Sequence, residues 1–366
     1  MVMKIEPRPV PSQTMRYCSP LIAALLMLVS GLIVFSILGK SPVTAFHAFF
    51  IEPVNDFYGI GELVIKASPL MIIGVGLAIG FKANIWNIGA EGQLTMGAIF
   101  GGGLALYFQD SSSLWLLPGM FGAGIIGGMF WASIPAILKI RYNANEILVS
   151  LMLNYVAILF LSLLIHGPWK DPQGYGFPQS VLFGDAALLP ILIEGTRLHA
   201  GVIISFLFIG VGWIFLLRSF VGYQLQVSGL AGKAASYAGF KYKRMVWIGL
   251  LSGGLCAGIA GVSEICGPIG QLLPSVSPGY GFAAIIVAYV GRLHPGGIFL
   301  SSLLMALLYL GGESAQMNLE LPSAVTGVFQ GMLLFYLLAA DFLIHFRFRF
   351  RTPAISRQSE HTLSGK

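Results

Sequence analysis

The residues of this 366-residue chain that could do chemistry sit inside apolar stretches and form no catalytic constellation. Asn84, Asn87, Glu91 and Gln93 lie close together, the last three in the run Asn87-Ile-Gly-Ala-Glu-Gly-Gln93. A carboxylate and three amides supply acceptors and paired donors suited to hydroxyl groups or the edge of a heterocycle. Two readings stand for this group. In one, the side chains face a polar cavity and touch a solute; in the other, Asn84 or Asn87 caps a helix and Glu91 satisfies freed backbone groups or a neighbouring helix. Asn154 and Tyr155 are further cavity candidates, although an Asn in an apolar helix also serves simply to bond another helix. No Ser/His/Asp order, acid pair or metal-ligand spacing accompanies them, and Cys18, Cys256 and Cys266 show neither CxxC nor Cys/His spacing. Gly232-Lys233 is not part of a GxxxxGK[ST] phosphate loop. The expectation is a protein that is not an enzyme and holds no metal or cofactor.

These residues need a membrane to position them. Only 10% of the chain is Asp, Glu, Lys or Arg while 56% is hydrophobic, too few charges to cover a water-facing surface. A hydrocarbon core about 30 Å thick accepts such a composition in runs of roughly 20 apolar residues. Ten candidate spans follow, at 21–39, 60–81, 85–108, 114–138, 146–165, 199–217, 245–263, 280–291, 297–311 and 324–345. All are expected as helices, which makes the fold all-α and polytopic: a tail over 1–20, a membrane domain over 21–345 and a second tail over 346–366. The run 85–108 is interrupted by the polar motif and 280–291 is short. These two interrupted spans point in opposite directions, as members of an inverted repeat lining a solute path would, although Gly is also common in membrane helices simply because it lets neighbours approach closely.

With the N-terminus in the cytoplasm, every basic residue except Lys40, Lys66, Lys170 and Arg197 falls on the inner side, so both termini are expected there. The net charge of +6 is thereby explained by orientation, without nucleic acid as a partner. Lys66 follows Glu62 by one helical turn, so an i,i+4 pair or snorkelling accounts for it. Asn145-Glu146 reads as a helix N-cap followed by an acid favoured by the helix dipole. The inner loop Arg218 to Arg244 has basic residues and no acid, and its small-residue centre predicts a short helix from Ala234 to Ala238, ended by Gly239. That helix would seat in another protein's cleft, or the loop is merely solvated. The outer loop His166 to His199 carries Trp169, Lys170 and Asp171, suited to a docked protein or to anchoring at the interface.

Ala234-Ala235-x-Tyr237-Ala238-Gly239 resembles the coupling loop of permease subunits of ABC importers for ribose-type sugars, nucleosides and branched-chain amino acids. Asn87-Ile-Gly-Ala-Glu-Gly-Gln93, Asn145-Glu146 with Met152-Leu-Asn-Tyr155, and Gly167-Pro-Trp-Lys-Asp-Pro172 with Gly176-Phe-Pro-Gln179 resemble the nucleoside branch. The likeness spans residues 20 to 345. It implies a permease in the bacterial inner membrane that pairs with a second, similar permease subunit, two cytoplasmic ATPase subunits and an extracytoplasmic binding protein. Gly229, Lys233, Ala234, Ala235, Tyr237, Ala238 and Gly239 would then face the ATPase, which alone uses ATP. Nucleosides lead as the implied cargo, followed by simple sugars such as ribose; an ion-coupled secondary transporter is the alternative of a different class.

Overall fold

The computed structural model describes residues 2–7 and 13–351. In chain order the elements are β1 (Val2–Pro7), α1 (Gln13–Ile37), α2 (Pro42–Phe46), α3 (Phe57–Lys82), α4 (Ala90–Tyr107), α5 (Leu116–Tyr142), α6 (Glu146–His166), α7 (Gly201–Arg218), α8 (Phe220–Leu230), α9 (Gly232–Tyr237), α10 (Tyr242–Glu264), α11 (Tyr280–Val290), α12 (Pro295–Leu319), α13 (Ala324–His345) and β2 (Phe346–Arg351). Among the described residues seven helices are long and apolar enough to cross a bilayer: α1, α3, α5, α6, α7, α10 and α12. Two more, α11 and most of α13, are apolar but shorter. The sequence expectation of a helix at each of ten places holds, with α4 carrying polar residues through its first turn.

The chain divides into two compact units, Leu32–Gln330 and the remainder. In the larger unit α3 and α10 are the most enclosed spans, while α6 and α7 present most of their surface outward. With lipid as solvent, burial of apolar area gives little drive for helix association, so close backbone approach takes its place. Where α4, α5 and α10 meet, a Cβ on Gly258 would collide with the Gly124 carbonyl of α5, and one on Gly97 of α4 would sit on the Gly258 backbone. Any larger residue there would force three helices apart. A separate aromatic group, Phe35, Phe49 and Phe329, closes another part of the unit, with centroids 4.7 Å apart for Phe49 and Phe329.

The second unit departs from the all-α expectation. β1 and β2 pair antiparallel, with Val2 opposite Arg351 and Pro7 opposite Phe346. Residues of the two expected tails therefore form a ribbon, and the first helix begins at Gln13, well before the apolar run at residue 21. Polar residues Gln13, Thr14 and Arg16 extend that helix beyond its lipid-suited part, which hydropathy alone does not register. The remainder of the expected tails, residues 8–12 and 352–366, lies outside the described residues.

A junction of two helix N-termini

The break after α3 begins at Asn84, whose φ of 57° turns the chain back on itself. Its side-chain oxygen accepts from Trp86 Nε1 at 3.1 Å, and its residue is exposed. Asn87 and Gln93 are buried and exchange two amide hydrogen bonds, of 2.9 and 3.0 Å; the Asn87 oxygen also accepts from the Gly89 N–H. Asn154 reaches in from α6. Its oxygen accepts from the Gly92 N–H and its amide donates to the Ile88 carbonyl, both at 2.8 Å. Ser150, one turn earlier on α6, accepts from the Ile88 N–H. An interrupted helix leaves backbone groups without intrahelical partners, each costly inside a membrane. Here α6 supplies the missing partners, so the break is closed by its neighbour.

Glu91 lies in the first turn of α4 and is buried. Its Oε2 accepts from the Gly281 N–H, in the first turn of α11, at 2.6 Å. The Ser277 hydroxyl and the Gly279 N–H also bond this carboxylate, and Ser277 accepts in turn from the N–H groups of Gly279 and Tyr280. The α11 backbone approaches so closely that a Cβ on Gly281 would land on the Ala90–Glu91 peptide. Two helix N-termini thus abut across a single carboxylate.

The two helices lead away from this junction in opposite directions. Gly76 of α3 packs at Cys256 of α10 and Gly80 at Gly249, so α3 and α10 are antiparallel. From Gly97 to Gly101, α4 advances along α10 from Gly258 to Val262. From Val287 to Tyr289, α11 advances along α3 from Gly74 to Phe81, the other way. Trp86 and Tyr289 stack at 5.4 Å with an interplanar angle of 16°, both against Phe81, and close the side of the junction next to the end of α3. A groove on the α5–α10 face, walled by Met129, Trp247, Ile248, Leu251, Ser252 and Leu255, is almost wholly apolar. It offers a polar solute only the Ser252 hydroxyl, already donating toward Gly249 and Gly76.

Of the residues singled out from sequence, the structure gathers Asn87, Glu91, Gln93 and Asn154 around the α4 N-terminus. Tyr155 is not among them: it follows Asn154 on the opposite face of α6 and is 59% exposed. Asn145 caps α6 as expected, accepting from the Ile147 N–H, and Glu146 pairs with Lys139. Ser277, Gly281, Trp86 and Tyr289 went unremarked. The signal available for them was Ser277-Pro-Gly ahead of a short apolar run, a helix start.

The two loop regions lie at opposite ends of α7, itself long enough to span. In the first, Trp169 turns inward, its ring filling the space beside Gly103 of α4. Asp171 bonds within the loop, accepting from the Gln173 N–H while its own N–H donates to Gln179. Lys170 is exposed, and the most exposed aromatics are Tyr175 and Phe177. Arg197 pairs with Glu62, and Lys66 pairs with Glu313 of α12 at 2.8 Å. In place of a Glu62–Lys66 pair, these bonds tie α3 to α12 and to the loop. In the second region, α8 and α9 form a hairpin of short helices. α9 covers the predicted helix two residues early, at Gly232–Tyr237, and Gly239 has the left-handed φ of 81° that ends it. Lys233, Ala234, Tyr237 and Ala238 are exposed, Tyr237 almost completely, while Ala235 turns inward. Gly229 rests on the Lys82 carbonyl at the end of α3, where a Cβ would collide.

A multi-pass helical protein with two opposed helix N-termini meeting at one carboxylate, a hairpin of short helices at one end of α7 and a long structured loop at the other, has an architecture suited to a membrane permease. The chain belongs to the family described as branched-chain amino acid transport system, permease component, whose pattern matches residues 59–338. It is similar to the glucose ABC transporter permease protein TsgB13 of Haloferax volcanii, with 32% identity over 94% of this chain and 93% of that one. It is also similar to the guanosine ABC transporter permease protein NupP of Bacillus subtilis, 27% identical over 89% and 94% of the two chains. The nucleoside ABC transporter permease protein NupB of Lactococcus lactis subsp. cremoris is 26% identical over 91% and 93%.

Proposed function

We propose that this chain is the membrane-path subunit of an ATP-driven importer whose cargo is a nucleoside. In this reading the cargo is delivered on the side of residues 167–200 by a separate binding protein, and a second permease subunit completes the path. The observation that carries the reading is the junction at Glu91. Each helix N-terminus is equivalent to roughly half a positive elementary charge. Two of them facing one carboxylate leave the junction close to neutral, a setting that suits an uncharged polar solute better than an ion. A nucleoside fits that description, and relatives named for guanosine and nucleoside transport support it. A simple sugar fits it as well, and the relative with 32% identity is named for glucose, so sugar is the second reading.

ATP does its work through the α8–α9 hairpin. A partner ATPase that binds α9 differently in two nucleotide states shifts the permease between two conformations. The seat of Gly229 on the Lys82 carbonyl passes that displacement to the end of α3, and so to the break that supports Glu91. Opening the α4–α11 junction would then expose Glu91, Asn87 and Gln93, so their closed bonding and their part in the path describe different states. The inverted relation of α4 and α11 supports an inverted repeat, and the bias of basic residues supports an orientation with α9 and both termini in the cytoplasm.

The test is uptake of labelled uridine and adenosine, with glucose and ribose beside them, in cells producing this chain with its ATPase and binding protein. Nucleoside uptake that disappears when the ATPase is inactivated is the expected result. Preferential glucose uptake would establish the sugar reading. Uptake that persists without any ATPase would overturn the importer and favour an ion-coupled carrier.

A further inference from the structure

The register of the terminal ribbon sorts its residues sharply. Directly opposed residues of an antiparallel pair share a face, and successive residues alternate between faces. The rungs Met3–Phe350, Ile5–Phe348 and Pro7–Phe346 occupy one face, and Val2–Arg351, Lys4–Arg349 and Glu6–Arg347 the other. One face is wholly apolar. The other carries four cationic positions and a single acid. β2 follows α13 with no residue between His345 and Phe346, so the ribbon starts where an apolar helix stops.

We propose that this ribbon lies in the membrane interface and binds the anionic headgroups of phospholipids. A lone two-stranded ribbon is at best marginally stable in water, and it needs something apolar against one face. Lipid at the border of the hydrocarbon region provides that for the Phe346, Phe348 and Phe350 positions. Basic residues beside a span are drawn to anionic lipid over about a Debye length. Arginine at alternate positions also matches phosphate oxygens through paired N–H donors. The surplus of cations is the complement of that surface and argues against an acid-poor protein partner. The inference needs only the membrane location of the chain and stands apart from the identity of the cargo.

The test places an environment-sensitive NBD label at Phe348→Cys in the full chain. Cys256 and Cys266 are buried, so Cys18→Ser leaves the introduced thiol as the reactive one among the described residues. In nanodiscs, raising phosphatidylglycerol from none to about 30% in phosphatidylcholine should raise NBD emission roughly threefold, and high salt should reverse the rise. Replacing Arg347, Arg349 and Arg351 together by Gln should abolish the response; replacing them by Lys should retain most of it. The salt titration reads the same charge dependence without those replacements, should the Gln variant fail to assemble. An NBD signal indifferent to phosphatidylglycerol and salt overturns the proposal. So does a response that arises only when the ATPase subunit is added, which would make the ribbon a protein contact.

Discussion

At the scale of single residues, the polar side chains around α4 hold a break in place, and this makes their removal costly. Asn154→Leu strands the Gly92 N–H and the Ile88 carbonyl together. Each buried unsatisfied group costs about 1–3 kcal/mol, so this variant should show a clearly lowered melting temperature in detergent and reduced membrane levels. Tyr155→Leu, on the outward face of α6, should do neither. Glu91→Gln retains an acceptor for Gly281 but leaves two helix N-termini facing a neutral group; uptake should fall about tenfold, in line with the 1.5–3 kcal/mol of a charged hydrogen bond, at near-normal membrane levels. Uptake unchanged in both Glu91→Gln and Glu91→Ala would remove the junction from the path. Just ahead of the span that begins at Gly201, His199 accepts from the Gly201 N–H through Nδ1, and burial beside Arg197 pushes its pKa down to about 4. Protonation must sacrifice that bond. Because the unfolded chain takes up the proton near pH 6.5 and the folded chain near 4, stability present at pH 7 is lost as pH falls through this window, by about 2 kcal/mol at pH 5. Thermal melts at both pH values should show this loss, and His199→Gln should flatten it. The chemistry of Glu91 and Asn154 was legible from their types in an apolar setting, but their partners were not: Gly281 stands 190 residues from Glu91, and no local pattern encodes that distance.

At the scale of elements, the positions of the apolar helices were readable because hydropathy governs which segments enter lipid, and the short helix of α9 was readable from Gly239 and its small residues. The closeness of α8 to the end of α3 was not, since it depends on one glycine lacking a side chain. Gly229→Val should push the hairpin off the Lys82 carbonyl while leaving the exposed Lys233 and Tyr237 free to engage an ATPase. The expected phenotype is ATP hydrolysis in the assembled transporter near its normal rate with uptake reduced about tenfold, a loss of mechanical transmission between two conformations. Gly232→Ala is the control, because open space surrounds that position. Equal effects of the two substitutions on both readouts would show that the seat of Gly229 transmits nothing. The ribbon was missed because alternation of Phe and Arg was read only as orienting charge, although a period of two is a strand pattern.

At the scale of the whole molecule, the proposed importer requires that the α8–α9 hairpin and the 167–200 loop face different compartments. Charge bias favours the cytoplasm for the basic hairpin, and one exposed residue at each place can report the side it faces. Tyr175 and Tyr237 are each 99% exposed, with α7 as the sole long span between them in the chain. In a Cys18→Ser background, Tyr175→Cys should react with a membrane-impermeant maleimide added to intact cells or right-side-out vesicles. Tyr237→Cys should react only in inside-out vesicles, and an ATPase subunit bound to α9 should protect it. Labelling of both from one side would mean that α7 does not cross, which would dismantle the topology from the outer loop onward. The reverse pattern would leave the helices crossing but put the basic hairpin outside, where no ATP-driven partner could reach it, and the importer reading would fail while the fold stood.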